Sequence, residues 1–348
     1  MDVSGFTEGG YLTVEIVNVP GYEVWISSRE VRIYHVEDED QEDDVIIKDP
    51  LIWTAVTDSR FFTNRISSIV YGNGRFVAGG ENGRMAYSDN NGVTWTSVSN
   101  NTFGINDFIG SLVYGNDRFI IGSGAGKMAY SDNGITWTAV SSANNTFGTL
   151  NILDIAYGNG RFIAVGNNYK VAYSDNNGLT WTDASTSAIG NYYGNPDPFR
   201  SIAYGNGIFV VGSAWGRLMY SDDNGETWTR VLFSPFGTNF IWDIVYGNGR
   251  FVAGSQNGRI AYSDDGVTWT AVQDSTFGTN TICGIAYGNG RFVAVGANGR
   301  MAYSDDNGVT WTAVQDSTFE TYTIEGITYA NGRFVAVGYN GRIAYADW

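Results

Sequence analysis

A chain of 348 residues with 43% hydrophobic and 15% aromatic content is long enough to bury a sizeable core and belongs with folded globular proteins, not disordered ones. Its net charge of −16, with lysine only at Lys48, Lys127 and Lys170, repels phosphate backbones and anionic lipid, so no nucleic acid partner and no membrane insertion are expected. The single cysteine, Cys283, excludes an internal disulfide framework, and no apolar run approaches the ~18 residues that span a bilayer.

In chain order, residues 1–48 stand apart from the rest. The start, MDVSGFTEGG, has neither the basic nor the apolar region of a secretory signal. YLTVEIVNV (11–19), YEVWIS (22–27) and VRIYHV (31–36) alternate enough to predict strands. EDEDQEDD (37–44) is a solvated, self-repelling run that reads as a turn or linker in preference to a calcium site, with His35 beside it as a surface residue. So short a segment rarely folds alone, which makes 1–48 a small β-rich appendage with an acidic linker and 49–348 the main domain.

From there the chain repeats itself. Tyr-Gly-Asn-Gly-Arg-Phe recurs with variations from Tyr71, Tyr114, Tyr157, Tyr204, Tyr246, Tyr287 and Tyr329. A period near ~40 residues with strand-like content predicts propeller blades. In the sixth copy ICGIAY (282–287) is the inner strand, and Asn289-Gly290 the tight hairpin turn. RFVAVG (291–296), RMAYS (300–304) and TWTAV (310–314) follow as second, third and outer strands. The seventh copy stops after three strands, at Trp348, and its missing piece sits upstream of the first as Ile52-Trp53-Thr54-Ala55-Val56. The expected fold is therefore all-β: a seven-bladed β-propeller of four-stranded antiparallel blades, closed by residues 52–56 completing the C-terminal blade. Closure removes the free sheet edges that invite aggregation.

The turn between third and outer strands reads SDNNGVTW (88–95), SDNNGLTW (174–181), SDDNGETW (221–228) and SDDNGVTW (304–311), with shorter forms at 131–137 and 263–269. It resembles the Asp box, or bacterial neuraminidase repeat, of sialidase-like propellers, although Asn90 and Asn176 replace its aspartate. A short polar side chain there accepts backbone N–H groups, glycine permits the unusual backbone angle, and tryptophan packs inward. Repetition in turn positions makes Asp305-Asp306-Asn307 a structural feature; no metal and no cofactor are expected. The resemblance implies boxes on the blade periphery, away from the ligand face, and favours an extracellular or cell-surface setting.

Sialidase chemistry would need an arginine cluster for the substrate carboxylate, a tyrosine nucleophile with a glutamate, and an acid/base aspartate. The family's Phe-Arg-Ile-Pro has no counterpart; Asp197-Pro198-Phe199-Arg200 is in the wrong place and order. Most arginines fall in two repeated slots, one from Arg75 to Arg333 and one from Arg84 to Arg342, as flanks or structural ion pairs. Arg65 and Arg200 lie on inner strands three blades apart, too far for one clamp unless the channel is narrow. Asp154, Asp243 and Glu325, near inner-strand starts, stay open as a carboxylate pair for glycoside hydrolysis. With His35 outside the propeller, no serine–histidine triad is available within it. The reading leans away from catalysis.

The copies differ mainly in the inter-blade loops and at the second position of each inner strand, which is Ser67, Gly110, Leu153, Arg200, Trp242, Cys283 and Glu325. Alternating strand direction puts these loops and the turns between second and third strands on one face, at the channel mouth, where ligands usually bind. NYYGNPDPFRS (191–201) replaces the usual Phe-Gly-Thr-Asn segment there, bringing Tyr192, Tyr193, Phe199 and Arg200. Nearby, Tyr169 replaces a glycine, Trp215 an asparagine, and Trp242 starts the next inner strand. Tyr169, Tyr192, Tyr193, Arg200, Trp215 and Trp242 are thus the candidate ligand-binding residues. Aromatic rings with an arginine suit a glycan first and a protein partner or assembly scaffold second; rings that merely fill space between blades are the alternative. The repeated phenylalanines from Phe61 to Phe319 read as plugs between blades in preference to seven lectin sites. A monomer is expected.

Overall fold

The computed structural model describes residues 51–99, 101–141, 145–184 and 197–348, together with five short strands before residue 49. It divides into two units, 1–51 and 52–348. In the first, Phe6–Thr7 pairs with Tyr11–Leu12, and Tyr22–Ile26, Glu30–His35 and Ile47–Lys48 form a three-stranded antiparallel sheet. Of the strand expected over 11–19, Tyr11–Leu12 is described as strand, and residues 13–20 and the acidic run 37–44 lie outside the described residues.

The second unit is a ring of seven four-stranded antiparallel sheets. Blade six has strands Ile282–Gly288, Arg291–Gly296, Met301–Ser304 and Thr312–Ala313. The other inner strands are Ile66–Gly72, Ile109–Gly115, Ile152–Gly158, Phe199–Gly205, Ile241–Gly247 and Ile324–Ala330. Outer strands pair through only two residues, because the tryptophan that precedes them turns inward and is buried, as Trp311 is. The Asn-Gly hairpins take positive φ at both positions, 48° at Asn289 and 84° at Gly290, as two-residue turns matched to strand twist require. Closure follows the sequence: Thr54–Ala55 pairs antiparallel with Ile343–Asp347, Tyr345 opposite Thr54.

The Tyr-Gly step of the repeat has a packing cause. A Cβ on Gly72 would lie 2.2 Å from the ring of Tyr114, and Gly288 would meet Tyr329 at 2.0 Å. Six of the seven tyrosines, from Tyr114 to Tyr329, rest in this way on the bare backbone of the preceding blade, where a side chain would push them away; the slot ahead of Tyr71 is Ala330. On that rim the repeated arginines tie blades together. Arg118 Nε bonds Asp132 in its own Asp-box-like turn at 2.6 Å while Nη1 donates to the carbonyl of Asn177 in the next blade's turn at 3.1 Å. Arg161 and Arg250 do the same, and Arg333 bonds Asp347 of the last strand and reaches the Asn91 carbonyl across the closure. The box itself is a hydrogen-bonded turn: Ser304 Oγ donates to Asp306 Oδ1 at 2.8 Å, Asp306 accepts from the Thr310 N–H at 2.9 Å, and Trp311 Nε1 donates to the Gly308 carbonyl at 3.1 Å.

Around the channel a second set of pins joins inner strands. Leu112, Ile155, Ile202, Ile244 and Ile285 each donate a backbone N–H to a side chain of the preceding blade, respectively Ser68, Ser111, Asp154, Ser201 and Asp243, at 2.6–3.1 Å. The two remaining slots are Gly284 and Gly326, so Ile327 and Ile69 lack this acceptor. At Gly326 a Cβ would be 3.5 Å from its nearest neighbour, the Ser67 carbonyl oxygen, an ordinary contact. Gly326→Ser is expected to stabilise the fold by about 1 kcal/mol more than Gly326→Ala, the worth of one net hydrogen bond. Denaturant titration of the two variants checks this; equal midpoints would refute the pin.

Candidate functional site: the channel mouth

Every inner strand carries a β-bulge. Pairing jumps from Ile66 to Ser68, from Phe199 to Ser201, from Ile241 to Asp243 and from Ile324 to Gly326, and likewise in the other three blades. The skipped residue is in each case the variable one: Ser67, Gly110, Leu153, Arg200, Trp242, Cys283 or Glu325. A bulged residue leaves the ladder and re-aims its side chain, and here all seven line one cavity of about 280 Å³. The position that differs most between copies is the one that the ladder constrains least.

At the mouth two guanidinium groups lie close together. Arg65, just ahead of the first inner strand, bonds Glu325 Oε2 through Nη2 at 2.6 Å and stacks between the rings of Phe108 and Tyr339, 5.1 and 5.0 Å from their centroids. Arg200 lies 4.2 Å from the Trp242 centroid and 5.5 Å from that of Phe240. Burial lowers the pKa of Arg200, Arg65 lowers it further, and Glu325 opposes both. Nε of each arginine is buried without an acceptor, and Arg200 makes no ion pair among the described residues.

The aromatic track runs outward from Arg200. Phe240 and Trp242 have centroids 6.5 Å apart, and Trp215 and Phe240 another 6.5 Å. Trp215 is 47% exposed at the tip of the turn between second and third strands of blade four. In the other blades that tip is mostly an asparagine with positive φ, such as Asn257 at 56°. Tryptophan tolerates that region poorly, and Trp215 does not adopt it; its N–H is held by Asp197 Oδ1 at 3.1 Å. Asp197 also accepts from Ser213 Oγ at 2.6 Å, and burial raises its pKa to about 6 against those bonds.

Tyr169 departs from its expected place on this surface. It takes the positive φ of the glycine it replaces, 56°, and is buried against Phe199, ring centroids 5.5 Å apart. It props the floor beneath the mouth and offers no face to a ligand. Tyr192 and Tyr193 lie outside the described residues. Arg200, Trp215 and Trp242 are brought together. The repeated phenylalanines Phe61, Phe147, Phe236, Phe277 and Phe319 are buried between blades. Sequence reasoning missed Phe240, which fills the slot that is Thr281 and Thr323 in later copies, and the exposed pair Leu232 and Phe233, where those copies have Gln273-Asp274 and Gln315-Asp316. Alignment of the copies against one another contains that signal.

The channel acids are committed elsewhere. Asp154 accepts from Ser111 Oγ at 2.9 Å and from the N–H groups of Ile155 and Ile202 at 2.8 and 2.9 Å. Asp243 accepts from the Ile285 N–H at 2.6 Å and Ser201 Oγ at 3.3 Å. Glu325 is held by Arg65; burial raises its pKa and Arg65 opposes the rise. Burial pushes the Cys283 thiol up as well, against nucleophilic use. Among the described residues no group of three His, Cys, Asp or Glu side chains could hold a metal ion.

Burial raises Asp154 to about 6, and burial followed by the charge of Asp154 raises Asp243 to about 7. Both exceed the unfolded carboxylate value near ~3.9, so the folded chain binds these protons more tightly. Their stabilising contribution is complete below about pH 4 and disappears as pH rises through 6 to 7. The melting temperature should be higher at pH 5 than at pH 8, and Asp154→Asn with Asp243→Asn should shrink that difference. Calorimetry across the range decides; an unchanged pH profile in the double variant would show that these acids do not titrate there.

Comparison with known proteins places the chain among propellers. Residues 22–152 and 194–331 match the DUF6242 beta propeller domain. No curated protein matches the chain. Among solved structures it is similar to YCF48 bound to D1 peptide, with a TM-score of 0.68 and 16% identity over 86% of this chain and 97% of that one. YCF48 from Cyanidioschyzon merolae gives 0.66 and 15% over 85% and 98%. A catalytically inactive virginiamycin B lyase from Staphylococcus aureus with quinupristin gives 0.66 and 12% over 86% and 99%. At these identities the likeness is one of fold.

Proposed function

The chain belongs to the DUF6242 beta-propeller family, and on that premise we propose that it is a non-catalytic recognition module whose channel mouth binds an acidic segment of a protein partner. The observation that carries this reading is Arg200: a guanidinium stacked on Trp242 and Phe240, its Nε without an acceptor, at the open end of a channel. A carboxylate from a partner supplies the missing charge and acceptors, and an arginine on an aromatic ring is a common interface anchor. The chain's net charge of −16 attracts basic segments at long range, so selection for an acidic one rests on the short-range contact with Arg200.

Two further points support it. The YCF48 structure with a D1 peptide is an instance of a similar propeller holding a polypeptide. The three channel carboxylates are engaged by backbone amides or by Arg65, which disfavours their use as an acid/base pair for hydrolysis. The Asp-box resemblance is carried by turns on the opposite rim and adds nothing to either chemistry. Among the described residues the glycan reading keeps the exposed ring of Trp215, since Arg200 already covers one face of Trp242.

Labelled chain applied to parallel arrays of acidic peptides, basic peptides and glycans tests the reading. Acidic peptides should be retained and released by salt. Arg200→Ala and Trp242→Ala should each weaken binding by about thirtyfold, the ~2 kcal/mol of a hot spot. Arg200→Lys should not rescue, because an ammonium cannot reproduce the planar stack. Retention of glycans only, or equal retention of basic peptides, would overturn the assignment.

A further inference from the structure

A second anchor lies beside the first. The loop leaving blade four carries Leu232 and Phe233, 80% and 87% exposed, among the most exposed large apolar residues described. Elsewhere in the ring the same positions are polar, as Gln273-Asp274 and Gln315-Asp316. Two adjacent apolar residues in place of a polar pair on an otherwise acidic surface are costly to leave in water. Leu232, with Phe233 next to it in the chain, lines a groove of about 220 Å³ together with Trp215, Arg230, Val231 and Thr238. Gly216 and Gly237 bring its two walls together: a Cβ on Gly216 would come within 2.5 Å of the Gly237 carbonyl oxygen. Arg230, exposed at the groove, forms no ion pair among the described residues, so both ends of the track are positively charged.

Trp215 belongs to this groove and to the aromatic track, so the two sites are continuous. Arg200 to Phe240 is 5.5 Å and Phe240 to Trp215 is 6.5 Å, which together reach no further than about 12 Å. An extended chain covers that in three or four residues at ~3.3 Å each. Resting on the recognition role above, we propose that the partner segment is an extended peptide with two determinants: an acidic residue for Arg200 and, three or four residues away, one large apolar side chain seated in the groove between Trp215 and Leu232. Arg230 favours further acidic residues beyond the apolar one. The apolar residue supplies the burial energy, and the acidic one sets register and excludes basic competitors.

Selection of a phage-displayed random dodecapeptide library on the whole chain tests this. Enriched peptides should pair Asp or Glu with Leu, Phe, Met or Trp at a separation of three or four. A synthetic peptide of that pattern should lose about tenfold in affinity against the chain with Leu232→Ser and Phe233→Ser. It should lose as much when its apolar residue is changed to Ser, and the two losses should not add. Enriched acidic peptides that lack the apolar residue, or that bind the serine variant unchanged, overturn the two-determinant pattern and leave the acidic-segment reading standing. Failure to enrich any acidic peptide overturns both. Circular dichroism of the serine variant confirms folding, which is expected because both residues are exposed.

Discussion

Six of the seven blade junctions are held by a tyrosine packed on a glycine of the preceding blade, and at the closure the slot is Ala330. Gly72 under Tyr114 and Gly288 under Tyr329 show why the pair recurs: the approach is closer than any Cβ allows. On one rim arginines extend the same junction from turn to turn, and along the channel serines and aspartates cap the amides of the next inner strand. Because the blades meet in a ring, no junction is terminal. The strand Thr54–Ala55, far away in sequence, must return to Ile343–Asp347 to complete it.

A scaffold fixed this firmly at its repeated positions leaves freedom at the unrepeated ones. The bulge in every inner strand ejects one residue from the ladder, so its side chain owes nothing to pairing or to the core. Seven such residues meet in one cavity, and four of the seven, Arg200, Trp242, Cys283 and Glu325, belong to consecutive blades. The rim that carries the arginine clasps has little room for variation. The opposite rim, with long loops, bears Trp215, Leu232, Phe233 and the paired arginines.

The electrostatics divide in the same way. Negative charge covers the chain, yet its channel acids are turned to structural use, taking N–H groups from adjoining strands at the cost of raised proton affinity. Cationic charge is scarce and mostly spent on inter-blade clasps. Arg200 is spent on no such clasp: it lies on two rings, with Arg65 close by. Among the described residues, an arginine stacked on aromatic rings and in no ion pair, placed where several blades converge, distinguishes the mouth from the surface around it.

Blade number, strand order, the Asn-Gly hairpins and the closing strand were legible in the sequence, because each follows from local turn chemistry repeated at a fixed spacing. The variable second position of the inner strand was legible too, as was the rim on which the irregular residues gather. Burial and reach were not. Tyr169 and Trp215 are neighbouring departures from one turn pattern, yet one ring points into the core and the other into solvent, because Phe199 stands behind the first and Asp197 holds the backbone of the second. Phe240 and Arg65 acquire meaning only when strands from different blades converge on the channel. Periodicity fixes what each residue does within its blade, whereas the site is made between blades, and that geometry exists only once the ring has closed.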